Sequence, residues 1–150
     1  MRQSVAVQPG FAFPVAEYHE QTMEAVRLEV QRQIRTGGRF ALTVDTWKTK
    51  GRRKRSYLAV LLHYVTKDWE YKELCPGVLA MDGKKDQSHY TEEIKGILRD
   101  ARVEKSNIFM AVSDHEPALR AALEQRLGFA AIGCECHFLQ LPAKHAIPPI

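Results

Sequence analysis

Ala41-Leu42-Thr43-Val44-Asp45-Thr46-Trp47 is an apolar, partly β-branched run that ends in an acid and an indole. Further along, Phe109-Met110-Ala111-Val112-Ser113 is a second run of this kind, and it too stops at an acid, Asp114. Branched and aromatic side chains favour an extended chain because they pack well on a pleated surface. A single sheet in which these two strands run parallel brings Asp45 and Asp114 together. Such a pair needs a crossover between its strands, and ligands of open α/β sheets collect outside the strands' carboxyl ends.

The intervening residues supply that crossover. Residues 39–47, 56–65 and 69–81 are rich in Val, Leu, Tyr and Thr and are separated by charged or turn-prone breaks, which predicts a three-stranded antiparallel meander. The middle strand is apolar on both alternating faces, so it is expected inside the sheet with both sides covered. Ser88 offers an N-cap, and Tyr90, Ile94, Ile97, Leu98 and Ala101 form the apolar stripe of a helix. Residues 107–113 form the fourth strand. Pro117, tolerated in a first helical turn, opens a helix striped by Leu119, Ala122, Leu123 and Leu127 and closed by Gly128. Residues 129–134 form a fifth strand, and a further helix is expected from His137, shortened or kinked by Pro142. In front of the sheet, residues 15–35 carry Met23, Val26, Val30 and Ile34 on one helical face. Thr36-Gly37-Gly38 stops that helix, since glycine accepts the left-handed C-cap without steric cost.

The chain has 150 residues, 45% apolar and 27% charged, which suits one compact domain with a real core. The longest apolar run, 57–65, contains His63 and falls far short of the roughly 20 residues a membrane span needs, so no membrane association is expected. Residues 1–16 are broken by Pro9, Gly10 and Pro14, a poor signal-peptide core, so an intracellular chain is expected. Three cysteines, an odd number, form no disulfide framework and suit a reducing compartment.

The net charge of +4 is concentrated. Lys48, Lys50, Arg52, Arg53, Lys54 and Arg55 lie in one segment without an acid, and the rest of the chain is net acidic. Such a cluster neutralises phosphates or serves as a nuclear-localisation patch; the plain alternative is a solvated hairpin tip. Its position directly after Asp45 favours nucleic acid. Paired carboxylates are what two Mg²⁺ or Mn²⁺ ions need to activate an attacking oxygen and stabilise the leaving oxygen of a phosphodiester. Taken singly, Asp45 reads first as a strand-end turn residue and Asp114 as a helix cap; it is their joint placement with the basic loop that favours a site. Cys134 and His137 have CxxH spacing, but no second pair completes a structural zinc site. Cys75 and Cys136 are read as core thiols, Trp47 and Trp69 as packing residues. GxSxG, GxGxxG and GxxxxGK[ST] are all absent, which argues against a serine hydrolase and a nucleotide-binding loop.

Three motifs, Leu42-Thr43-Val44-Asp45-Thr46-Trp47, Ser113-Asp114 and Cys134-x-x-His137-x-Leu139-Gln140-Leu141, resemble the N-terminal half of the RNase H-like catalytic core of hAT-family transposases. The resemblance covers roughly residues 40–147. It implies an α/β fold: a mixed five-stranded sheet in the order 3-2-1-4-5, flanked by helices and truncated after the fifth strand. A helical segment, 1–38, precedes this partial RNase H-like domain at 39–150. By the same resemblance Asp45 and Asp114 bind the metals of a DDE-type site, and His137 lies near the scissile phosphate. The pattern departs at His115 and Ala118, where the family commonly has Asn. The third acid, a glutamate, would lie beyond residue 150, so Mg²⁺ or Mn²⁺ is expected only where further sequence completes the site. The function implied is that of a nuclear fragment derived from a DNA cleavage and strand-transfer enzyme and inactive alone, with DNA as its partner and self-association or nuclear proteins as further ones. The alternative is a non-catalytic, domesticated module that binds nucleic acid or protein.

Overall fold

A computed structural model describes residues 12–50, 54–83 and 85–135. The order is α1 (Ala12–Arg35), β1 (Phe40–Lys48), β2 (Ser56–Val65), β3 (Tyr71–Met81), α2 (Gln87–Asp100), β4 (Ile108–Ser113), α3 (Pro117–Ala121) and β5 (Ala131–Gly133). The helix of α3 continues as a π-helical turn, Ala122–Arg126. The five strands make one mixed sheet in the order β3-β2-β1-β4-β5, as the sequence predicts. β1, β2 and β3 pair antiparallel, whereas β4 lies parallel to β1 and β5 parallel to β4.

Alternation explains which face is buried. In β1, Phe40, Leu42 and Val44 are buried while Ala41, Thr43 and Asp45 on the other pleat are not. Leu62 and Val60 of β2 lie opposite Leu42 and Val44, and Ala111 of β4 flanks Leu42 on the other side, so one face is continuous across three strands. Val26 and Val30 of α1, Tyr90, Ile94, Ile97 and Leu98 of α2, and Leu119 and Leu123 of the last helix join those residues in a single core. α1 is further tied down by Tyr64, whose hydroxyl donates to Glu29, and by Arg27 Nε, which donates to the Asp100 carbonyl at 2.9 Å.

The opposite face departs from expectation. β2 is internal as predicted, but only its Leu58, Val60, Leu62 and Tyr64 side lies against helices. On the other pleat Ala59 is buried, Tyr57, Leu61 and His63 are half-buried and Val65 is exposed. No described element covers that side. Two-sided apolarity therefore marks a strand whose second face has no cover among the described residues. α2 also starts earlier than Ser88 suggests: the N-cap is Asp86, whose carboxylate accepts from the His89 backbone N–H at 3.0 Å. None of the described helices is long and apolar enough to cross a membrane.

Candidate functional site at the ends of β1 and β4

The last register pair between the parallel strands is Val44 opposite Ser113. Asp45 and Asp114 are the next residue on each strand, so the two acids the sequence singles out leave the sheet side by side at its carboxyl edge. Their side chains have different surroundings. Asp45 follows the pleat of Trp47 and Ala59 toward the face without cover and is exposed. Asp114 is half-buried and engaged on the other side. Its Oδ2 accepts from the Thr46 hydroxyl at 3.2 Å, and its Oδ1 accepts from the Glu116 backbone N–H at 3.0 Å. The second bond ties the turn before α3, whose N-cap is Glu116. Asp114 thus organises a helix start and also lies next to Asp45.

Tyr90, which the motifs do not flag, and Ser113 complete the environment. Tyr90 of α2 is fully buried and donates its hydroxyl to Glu116 Oε2 at 2.7 Å. Burial raises the pKa of this phenol first, and the Glu116 bond and the nearby charges of Glu116 and Asp114 raise it further, so Tyr90 stays a neutral donor. Ser113 is buried, and its hydroxyl donates to the Asp114 carbonyl at 3.0 Å. Just after β5, the Cys134 N–H donates to the Ser113 carbonyl at 2.7 Å, which holds the start of the CxxH segment beside the same strand end. The His115 ring packs over Gly133, where any side chain would collide with it.

The basic loop begins at this edge. Thr49 N–H donates to the Arg55 carbonyl at 2.8 Å and Arg55 N–H to Thr49 Oγ1 at 3.0 Å, closing the loop at its base. Lys48, Lys50, Lys54 and Arg55 are exposed; Arg52 and Arg53 lie outside the described residues, as does His137. Trp47 stacks on Tyr57 with ring centroids 5.5 Å apart. The packing role read for Trp69 is overturned, since it is 88% exposed at the β2–β3 turn with a positive φ of 62°. Cys75 likewise is exposed rather than a core thiol, because it sits on the outermost strand.

As a metal centre the described set is incomplete. Among the described residues no three His, Cys, Asp or Glu side chains are grouped to hold an ion. Both Asp114 oxygens already accept protein hydrogens, and Asp45 follows the other pleat. Comparison with protein families finds no family model that matches the chain, and comparison with curated proteins finds no match.

Proposed function

We propose that this chain is a hAT transposase-like RNase H-fold unit, descended from a metal-dependent DNA cleavage and strand-transfer enzyme, that binds DNA and does not cleave it by itself. The observation that supports the reading is the parallel pairing of β1 with β4, whose last register pair, Val44 opposite Ser113, leaves Asp45 and Asp114 at neighbouring backbone positions on the edge where the Lys48 to Arg55 loop begins. Phosphate-binding cations beside two acids are what a phosphodiester site requires. Mg²⁺ or Mn²⁺ would bind between Asp45 and Asp114 once a further acid completes the ligand set. His137 would approach the phosphate. The Lys and Arg cluster would also direct the chain to the nucleus, where DNA, a second copy or nuclear proteins are its partners.

A second reading, a non-catalytic domesticated module, is favoured by one observation: Asp114 is already committed to Thr46 and the Glu116 N–H. The two readings agree on DNA and differ on chemistry. Affinity for a duplex of arbitrary sequence should fall with salt with a slope of about −0.9 per phosphate contact, and replacing Arg52, Arg53, Lys54 and Arg55 by Ala should flatten it. An unchanged slope would sink the DNA assignment. Incubating the protein with Mn²⁺ and supercoiled plasmid should leave the plasmid intact. Nicking that disappears in Asp45→Asn and Asp114→Asn variants would instead show a complete nuclease.

A further inference from the structure

A cleft of about 750 Å³ opens at the other end of the sheet. The C-terminal half of α2, the turn leading to β4 and the end of the π-helical turn enclose it. β4 has six residues, so at roughly 3.3 Å per residue this cleft lies about 20 Å along the strand from Asp114. Its floor is apolar: Leu98, Val103, Leu127 and Phe129 all line it. Its rim is cationic, with Lys95, Arg99, Arg102, Lys105 and Arg126 against a single acid, Glu104. Five cations around one cleft are a local excess as large as the charge of the whole chain, and the basic segment at 48–55 has no part in it.

The cations are available. Lys95 and Arg99 have only exposed, loose pairs, with Glu92 at 3.3 Å and Asp100 at 3.7 Å. Arg102, Lys105 and Arg126 form no ion pair with a described residue. The end of α2 is closed by backbone bonds: Ala101, Arg102 and Val103 N–H groups donate to the Ile97, Arg99 and Leu98 carbonyls. Gln31 of α1 donates to the Arg102 carbonyl at 3.2 Å and fixes the turn that carries this arginine. Arg102 itself has a φ of 59°, a left-handed conformation uncommon for arginine, held between those two bonds.

We propose that this cleft docks an acidic peptide segment that lays one bulky apolar side chain against the floor formed by Leu98, Val103, Leu127 and Phe129 and sets its carboxylates against Arg102, Lys105 and Arg126. Charge complementarity demands an acidic partner, and the apolar floor separates a peptide from a nucleic acid. A duplex backbone seeks a row of cations and has no large apolar group to bury, whereas an acidic peptide with one aromatic residue satisfies floor and rim at once. The proposal is independent of the DNA reading, since it uses different residues at the opposite end of the fold.

The test is fluorescence anisotropy with a labelled peptide of Asp and Glu around one central Phe, read on the full chain. Saturable binding is expected, weakened about tenfold when the peptide's Phe is replaced by Ala, which corresponds to about 1.4 kcal/mol. Lys105→Glu and Arg126→Glu should each weaken it at least as much, while Lys54→Glu in the β1–β2 loop should not. Thermal melts of the variants separate lost docking from lost folding, and the peptide exchange needs no protein variant at all. Equal affinity for the Phe and Ala peptides would overturn the proposal. So would duplex DNA losing affinity in Lys105→Glu and Arg126→Glu while the peptide shows no saturable binding.

Discussion

The Thr46 hydroxyl donates to the Asp114 carboxylate at 3.2 Å across the seam between two parallel strands. Thr46 lies on the helix-covered pleat, one residue beyond Asp45. Its bond therefore draws Asp114 toward the core side of the sheet, while the neighbouring Asp45 stays with the other face. A donor bonded to a charged acceptor contributes about 1.5–3 kcal/mol, and less where water competes. Thr46→Val keeps the shape and removes the donor, so it should lower the unfolding free energy by about 1–2 kcal/mol, read as a lower urea midpoint at unchanged slope. Combined with Asp114→Ala the losses should be less than additive. Additivity within about 0.5 kcal/mol would show that the bond contributes nothing.

The sequence carries the sheet order because its clues are local. Strand alternation, the breaks at 48–55 and 66–68 and the stripes of α2 and α3 each lie within one window, and a right-handed crossover leaves little choice for β4 beside β1. Contacts made across elements were not legible. Tyr90 reads as one more apolar stripe residue, and only the packed fold shows its hydroxyl on Glu116. The cations of the second cleft are spread from Lys95 to Arg126, so no segment is basic enough to draw notice. β2 reads as covered on both faces because side-chain chemistry reports what a strand could bury and not which neighbours it has.

α2 is seated on the sheet through Gly77. A Cβ there would meet Ile97 Cγ1 and Cγ2 at 3.0 Å, closer than packed carbon atoms normally come. Gly77→Ala should therefore destabilise the fold by about 1–3 kcal/mol through overpacking. Adding Ile97→Ala, itself destabilising through the cavity it leaves, should cost less in the Gly77→Ala background than in the native one. Thermal melts of the four proteins measure the coupling; an identical Ile97→Ala penalty in both backgrounds would refute the contact.

Glu29 and Tyr64 link α1 to β2, and each is shifted. Bonding to Arg32 first, then to Tyr64 and Gln33, lowers the Glu29 carboxyl to about 2, against the opposing effect of burial. Burial first, then the Glu29 bond and charge, pushes the Tyr64 phenol up to about 12. A depressed acid stabilises the fold above its ordinary pKa of 4.5 and ceases to do so as pH falls toward 2. A raised phenol stabilises below its ordinary value of 10.0, and that contribution is lost as pH rises toward 12. Tyr64→Phe should therefore be less stable than the native chain at neutral pH. The difference should narrow at both extremes, as urea titrations between these limits would record.

The contact between His115 and Gly133 couples the acid-bearing loop to β5. A methyl group on Gly133 would stand 3.0 Å from His115 Nδ1 and 3.1 Å from Nε2, so the ring must leave or the strand must shift. β5 has three residues, and its pairing with β4 ends at Ser113 opposite Gly133, which gives it little capacity to absorb a displacement. Gly133→Ala should cost no more than about 1 kcal/mol, the low end for overpacking, because the neighbour is the ring of an exposed side chain. His115→Ala should recover most of that loss in the double variant by vacating the space. If the strand rather than the ring yields, amide exchange should speed up at Cys134, whose N–H bonds to the Ser113 carbonyl, and His115→Ala should restore its protection. A Gly133→Ala protein with native stability and native exchange at Cys134 would show that the imidazole is not held over the strand, and that the turn after Asp114 is not anchored to β5 in this way.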